Sequence, residues 1–390
     1  MSNKPIRDSY LPYGRQWIDE EDIQAVVDVL RSDYLTTGPA VGKFEHAVAS
    51  YVGTTYAVAF ANGTAALHGA CFAAGVGKGD EVITTPMTFA ASANCVLYQG
   101  GKPVFADIDS ETYNIDPSKI AEKITDRTKA IIPVDFTGQP ADLEQIKELA
   151  KKHNLVVIED AAHALGATYK GGKVGSISDM TMFSFHPVKH ITSGEGGIIT
   201  TNNEVYYQKL LQFRSHGVTR QSDQLIENQG PWYYEMQFLG YNYRMTDIQA
   251  TLGTSQLKKI NHFVDRRRKY VAMYNEAFKE LEEINVPYQD ANGNSSWHLY
   301  VIRLNLEKLT VSRREIFEAL LEENIGVNVH YIPVHLQPYY KQLGYGYGTC
   351  PNAEKLYEEI ITLPLFPAMT EEDVKDVIEA VNKVLKLYRK

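Results

Sequence analysis

Cysteine is scarce. Cys71, Cys95 and Cys350 are the only three in 390 residues, and they are spread across the chain. Three so scattered make neither a disulfide framework nor a zinc site, and they fit a reducing cytosol. No apolar run approaches the length of a membrane span, and the opening Met1-Ser-Asn-Lys-Pro-Ile-Arg7 lacks the hydrophobic stretch of a signal segment. A cytoplasmic location without membrane contact is expected. Positive charge is also in deficit: 39 Lys and Arg against 48 Asp and Glu leave a net −9. General nucleic-acid binding needs a basic surface, so it is not expected here. Internal repeats and low-complexity tails are missing too. The remaining composition, 44% hydrophobic and 22% charged, is that of an ordinary globular protein long enough for two or three domains.

Seven apolar runs fall between residues 55 and 201: Tyr56–Ala61, Glu81–Thr85, Pro103–Ile108, Ala130–Phe136, Leu155–Asp160, Met180–Phe185 and Gly197–Thr201. Most alternate with helical patterns such as Ala141–His153, which predicts βα units around a largely parallel α/β sheet. The last runs lie close together, which leaves room for one of them to be antiparallel. Asp19 is placed to cap a helix running to about Arg31. From Thr246 to about Leu281 an imperfect 3.6-residue pattern predicts one long helix bridging two domains. The run Arg266-Arg-Arg-Lys269 inside it reads as a solvated face. Beyond Pro287, short strands and helices including Val301–Leu304 and Arg313–Asn324 predict a smaller C-terminal domain.

Lys189 is the most informative position. It lies just past a buried strand, in the turn of Phe183-Ser-Phe-His-Pro-Val-Lys189, and the glycines of Gly194-Glu-Gly-Gly197 follow it. Partial desolvation there lowers a lysine's pKa and frees its amine to meet a carbonyl. Most lysines near strand ends are only surface charges. Asp160, closing the strand Leu155-Val-Val-Ile-Glu-Asp160, raises the reading above that. Pyridoxal phosphate (PLP) enzymes need a Schiff-base lysine and a carboxylate that keeps the pyridine nitrogen protonated. Asn62-Gly-Thr-Ala-Ala-Leu67 follows another strand and opens a helix, whose free N–H groups and dipole favour an anion. Alone it would read as an ordinary cap. With Lys189 and Asp160 present, phosphate binding by Gly63, Thr64 and Ala65 is the better reading. His186 and His190 have the spacing of a zinc pair, but no third ligand is signalled and no metal is expected.

These segments carry a resemblance. Glu159-Asp-Ala-Ala-His-Ala-Leu-Gly166, the Lys189 stretch, Leu35-Thr-Thr-Gly38, Asn62–Leu67, Thr84-Thr-Pro-Met-Thr-Phe-Ala-Ala-Ser92 and Gly240-Tyr-Asn-Tyr-Arg244 resemble, in order, the DegT/DnrJ/EryC1/StrS sugar aminotransferases. Arg214-Ser-His-Gly217 and Val329-His-Tyr-Ile-Pro333 narrow the likeness to the enzymes of pseudaminic-acid pathways that aminate C4 of a UDP-4-keto-6-deoxy-N-acetylhexosamine. The resemblance implies the fold type I architecture of PLP-dependent aminotransferases, a mainly parallel seven-stranded sheet with a smaller α+β C-terminal domain. A large PLP-binding domain over 1–250 and a linking helix with small domain over 251–390 are expected.

The same resemblance implies roles. Lys189 and Asp160 are catalytic. Phe89 stacks on the pyridine ring, His163 touches the cofactor, and Ser184 bonds its phosphate. Asn242 reaches the phosphate of a neighbouring subunit, which implies a homodimer with shared sites. Tyr13, Thr36, His330 and Tyr331 are substrate-side candidates. Structural readings stand beside these: Phe89 as core, His163 as a packed histidine, Asn242 as part of a helix entry. The implied substrates are a nucleotide-linked keto-sugar and an amino donor, L-glutamate by family habit. The net negative charge leaves room for an anionic sugar nucleotide, because a few local cations and N–H groups suffice. The 25 tyrosines mostly read as packing, and some suit a hydroxyl-rich sugar site. Amination at C3, or on a dTDP or GDP carrier, is the enzymatic alternative. A non-catalytic regulator with this fold is the alternative of a different class, against which Lys189 is intact.

Overall fold

The computed structural model describes residues 4–390. All seven apolar runs form strands: β1 Tyr56–Phe60, β2 Glu81–Thr84, β3 Lys102–Phe105, β4 Thr128–Ile132, β5 Val156–Asp160, β6 Met180–Ser184 and β7 Gly197–Thr201. They build one sheet in the order β1-β7-β6-β5-β4-β2-β3. Six strands run parallel, and β7 is antiparallel to both its neighbours. Crossover helices cover both faces, so the strands read as continuous apolar runs rather than alternating ones. Val58, Ile83, Ile131, Ile158 and Ile199 are all fully buried.

Three helices surround the first strand in the chain order. α1 (Glu20–Leu30) starts at Asp19, which caps it as expected and also forms a capping box with Asp22. α2 is Pro39–Val52, and α3 (Gly63–Ala73) opens just beyond β1. The pattern from Thr246 onward is not one helix. It breaks into Asp247–Leu257 and Ile260–Phe278. At the break, Lys258 and Lys259 donate to Ser255 and Gln256 three residues back. There the Lys259 ammonium is held by Asp19 and Asp22, each at 2.7 Å. The break thus coincides with an ion pair to α1, which apolar periodicity does not record.

The second helix still bridges two cores. Ile260, Phe263 and Val264 pack beneath the large sheet, while Tyr270, Val271, Tyr274 and Phe278 join the C-terminal core. That core lies on a three-stranded antiparallel sheet of Ile284–Asn285, Tyr300–Leu304 and Ile360–Leu363. Helices Arg313–Glu322 and Glu371–Tyr388 back it. Leu11 belongs to the same core, tied to Asn324 and Gly326 by backbone bonds of 2.9 and 2.7 Å. Among the described residues, no helix is long and apolar enough to cross a membrane.

Candidate active site

In a parallel sheet every carboxyl end points to one edge, and a ligand seated there meets residues from distant segments. Asp160 ends β5, Ser184 ends β6, α3 begins after β1, and Phe89 follows β2. Lys189 lies five residues past β6, in a turn closed by its own N–H donating to the His186 carbonyl at 2.9 Å. The side chain is half-buried. Burial pulls its pKa down to about 8; the Asp160 carboxylate opposes that and Arg267 reinforces it.

Asp160 is buried. Its Oδ2 accepts from Ser92 Oγ at 2.6 Å, and its Oδ1 accepts from the Ala162 N–H at 3.1 Å. Ser92 is in turn held by Thr88, hydroxyl to hydroxyl at 2.7 Å. Burial raises the Asp160 pKa, while Ser92, Ala162 and Lys189 hold it down. A cationic group beside it would draw it further towards the carboxylate.

The start of α3 forms a cradle. A Cβ on Gly197 would lie 2.6 Å from the Asn62 carbonyl, so only glycine lets β7 cross so close. Ser184 pairs with Gly197, and a Cβ on Gly63 would lie 3.5 Å from the Ser184 hydroxyl. The Gly63 and Thr64 N–H groups have no partner among the described residues, whereas that of Ala65 donates to Asn62 Oδ1 at 2.8 Å. Asn62 caps the helix and also spends one of its three candidate anion donors. The cradle is therefore Gly63, Thr64 and Ser184, without the Ala65 amide.

His163 faces this edge three residues after Asp160. Its Nε2 meets the Tyr331 hydroxyl at 3.0 Å, and its Nδ1 is buried with no partner among the described residues. Burial keeps the ring well below its usual range, as it does for its neighbours His190 and His298. His330 is neutral as well, pulled down to about 4 by burial. Its Nδ1 lies 2.9 Å from Thr362 Oγ1, and its ring is 5.3 Å from that of Tyr13. Phe89 is 64% exposed, its ring 6.4 Å from Tyr331. Its exposure excludes the core reading of Phe89.

Two predicted residues stand apart. Thr36 is exposed and bridges Thr246, and Asn242 is exposed on a strand-like bridge to Ser215. Neither side chain makes a hydrogen bond among the described residues. The next residue, Tyr243, accepts the Ala61 N–H through its carbonyl at 2.8 Å, which ties this turn to the entry of α3.

Sequence reading missed Ser92, and it misplaced Arg267. The guanidinium of Arg267 is fully buried and donates to the carbonyls of Trp297, His298 and Leu365 at 3.2, 3.0 and 2.8 Å. Burial lowers its pKa to about 9. The signal was present, because Arg267 falls four residues after Phe263 and four before Val271, on the apolar face. It pins the segment that carries His298 against the site. His186 is exposed and His190 bonds the Ser296 carbonyl at 3.1 Å, so the pair shares no ligand.

These residues fit PLP. The glycine-lined cradle offers two unpartnered N–H groups and a hydroxyl for a phosphate. Asp160 offers a buried carboxylate, Lys189 an amine freed by desolvation, and His163 an orphaned buried nitrogen.

Residues 16–382 match the model of the DegT/DnrJ/EryC1/StrS aminotransferase family. The chain is 44% identical over 382 residues to the spore coat polysaccharide biosynthesis protein SpsC of Bacillus subtilis, covering 97% of this chain and 98% of that one. Helicobacter pylori PseC, an aminotransferase involved in the biosynthesis of pseudoaminic acid, superposes with a TM-score of 0.90 at 34% identity, covering 97% of this chain and 100% of PseC. The PLP form of the candidate sugar aminotransferase Spr1654 of Streptococcus pneumoniae gives the same score and identity, over 97% and 99% of the two chains. The chain belongs to the DegT/DnrJ/EryC1/StrS aminotransferase family, as a sugar aminotransferase whose cofactor is pyridoxal phosphate.

Proposed function

We propose that this enzyme aminates C4 of a UDP-4-keto-6-deoxy-N-acetylhexosamine, forming UDP-4-amino-4,6-dideoxy-N-acetyl-β-L-altrosamine, with L-glutamate as the amino donor. The observation that carries the sugar assignment is the likeness to PseC along the whole chain. Bound PLP supplies the carrier for the amino group and the electron sink that makes the adjacent proton removable.

The residues divide the work. Gly63 and Thr64 N–H groups with Ser184 hold the phosphate, and Phe89 covers a face of the ring. Asp160 keeps a proton on the ring nitrogen. Lys189 anchors the cofactor, takes the proton from Cα of the donor, and returns one to C4 of the sugar. At a pKa of about 8, roughly one amine in ten is neutral at pH 7. An ordinary lysine at 10.5 would have roughly one in three thousand. Tyr13 and His330 line the substrate side, and a neutral His330 meets sugar hydroxyl or acetamido groups through hydrogen bonds rather than charge. We assign the enzyme to the cytoplasm, where its three free, buried thiols stay reduced.

Incubating the enzyme with glutamate and a panel of UDP-, dTDP- and GDP-linked 4-keto and 3-keto sugars, read by mass spectrometry, tests the assignment. Amination of the UDP-linked 4-keto-N-acetylhexosamine is expected to dominate. Turnover confined to a 3-keto sugar or another nucleotide would overturn it.

The enzyme acts, in this reading, as a homodimer in which Asn242 serves the partner's phosphate. Its side chain is exposed and without a hydrogen-bond partner among the described residues. It sits beside an excursion that leaves Ile226, Trp232, Met236 and Leu239 in solvent, a face suited to cover by a second copy. Lys189→Ala and Asn242→Ala chains, each impaired alone, are to be unfolded and refolded together. Mixed dimers then collect both lesions in one site and neither in the other, so roughly a quarter of all sites regain wild-type composition. Activity that merely averages the two parents would place Asn242 in its own chain's site.

A further inference from the structure

The Tyr331 hydroxyl lies 3.0 Å from His163 Nε2, and the two rings are within 19° of parallel. Residues 168 apart in sequence meet here across the boundary between the large sheet and the C-terminal part. The Tyr331 ring is fixed by Phe136 at 6.4 Å and by His330, edge on, at 4.9 Å. Its hydroxyl has no other partner among the described residues. Both groups are neutral: burial pushes the phenol up, and it holds the imidazole well below its ordinary range.

Two proton arrangements are available to a neutral phenol and a neutral imidazole. Imidazole nitrogen is the far better base and phenol the better acid, so O–H to N is the favoured sense. Nε2 then accepts, and the ring's own proton resides on Nδ1, the buried nitrogen that has no partner among the described residues. The titratable groups around this ring are Asp160 from its own turn, Lys189 and His190 from the turn after β6, His298 from the segment pinned by Arg267, and His330 beside Tyr331. Asp160 is the single acid among them, and it is committed to Ser92 and Ala162. None of them supplies an acceptor for an Nδ1–H.

We propose that Tyr331 is a positioning residue: it donates to His163 Nε2, sets the Nδ1–H tautomer, and so presents a buried N–H donor to an anionic oxygen of the bound cofactor. Its hydroxyl is therefore committed to His163 rather than to the sugar, which revises the substrate-side role expected from sequence. This rests on the PLP reading of the site for its second readout but not for its first.

The first readout is nitrogen NMR of cofactor-free protein carrying ¹⁵N-labelled histidine, with His163 identified by the signal lost in His163→Gln. Wild type is expected to show the Nδ1–H tautomer, and Tyr331→Phe a shift towards Nε2–H. The second is the pH titration of the visible band of the PLP-loaded enzyme. Losing a donor to the anionic oxygen should raise the midpoint in Tyr331→Phe by about one pH unit, the tenfold change expected for one hydrogen bond to a charged acceptor. In kinetics, kcat should fall by about tenfold while KM for the sugar stays within about twofold. An unchanged tautomer, or a raised sugar KM with an unmoved spectral midpoint, would overturn the proposal and return Tyr331 to the substrate. A wild-type protein without a visible band would instead overturn the PLP reading, and the tautomer result would still decide the Tyr331 contact.

Discussion

Lys189→Ala is expected to lose the visible absorption of the PLP-loaded enzyme and to cut turnover by at least about a thousandfold, because anchor and proton carrier vanish together. In wild type, glutamate should bleach that band; in the variant there is no band to bleach. The loss should not come from misfolding. The Lys189 pKa is about 8 in the folded chain, below its ordinary 10.5. The unfolded chain thus binds more protons between those values, and stability rises with pH across that window. Below about pH 8 the folded wild type carries the full cost of a desolvated ammonium, which alanine removes. Cofactor-free Lys189→Ala should therefore melt no lower than cofactor-free wild type at pH 7, as thermal unfolding would check. Wild-type turnover in this variant, without added amine, would sink the proposed mechanism.

Asp160→Ala carries the second large effect. One hydrogen bond to a charged group is worth about 1.5–3 kcal/mol, so PLP should bind roughly ten- to a hundredfold more weakly. Turnover should fall further, by about a hundredfold or more, since the ring nitrogen is no longer kept protonated and the electron sink is lost. Asp160→Asn separates the two contributions. It retains a side chain able to meet Ser92 and the Ala162 N–H, so cofactor affinity should recover more than turnover does. Ser92→Ala provides a graded comparison, because it removes the 2.6 Å bond to Asp160, together with the Thr88 contact behind it, and leaves the charge. Cofactor titration followed by absorbance, together with single-turnover rates, measures both quantities. Near-wild-type kcat in Asp160→Ala would reduce Asp160 to a structural carboxylate at a strand end.

Much of this protein was legible before its structure. Strands covered on both faces become unbroken apolar runs, so all seven were visible, and the close spacing of the last two announced an antiparallel member. Asp19 announced the capping box of α1 through residues three apart. Asp160 stood out because it closes a buried strand and Lys189 because it lies in the turn just past another, and in a parallel sheet the carboxyl ends of the strands mark the working edge. These features are local: each depends on a few neighbouring residues and on backbone periodicity.

What only the tertiary structure decided depends on segments distant in sequence. Strand order brings Ser92 to Asp160 across 68 positions, and domain packing brings Tyr331 to His163 across 168. The helix predicted from Thr246 to Leu281 breaks at Lys258 and Lys259, where Lys259 meets Asp19 and Asp22, some 240 residues earlier. Arg267 shows the limit most directly, since a basic run reads as solvated while its burial rests on three carbonyls from two other segments. Periodicity reports which face of an element is apolar. Which polar partner waits on that face is set by the approach of another segment, and the cost of burying a charge without one makes that approach decisive.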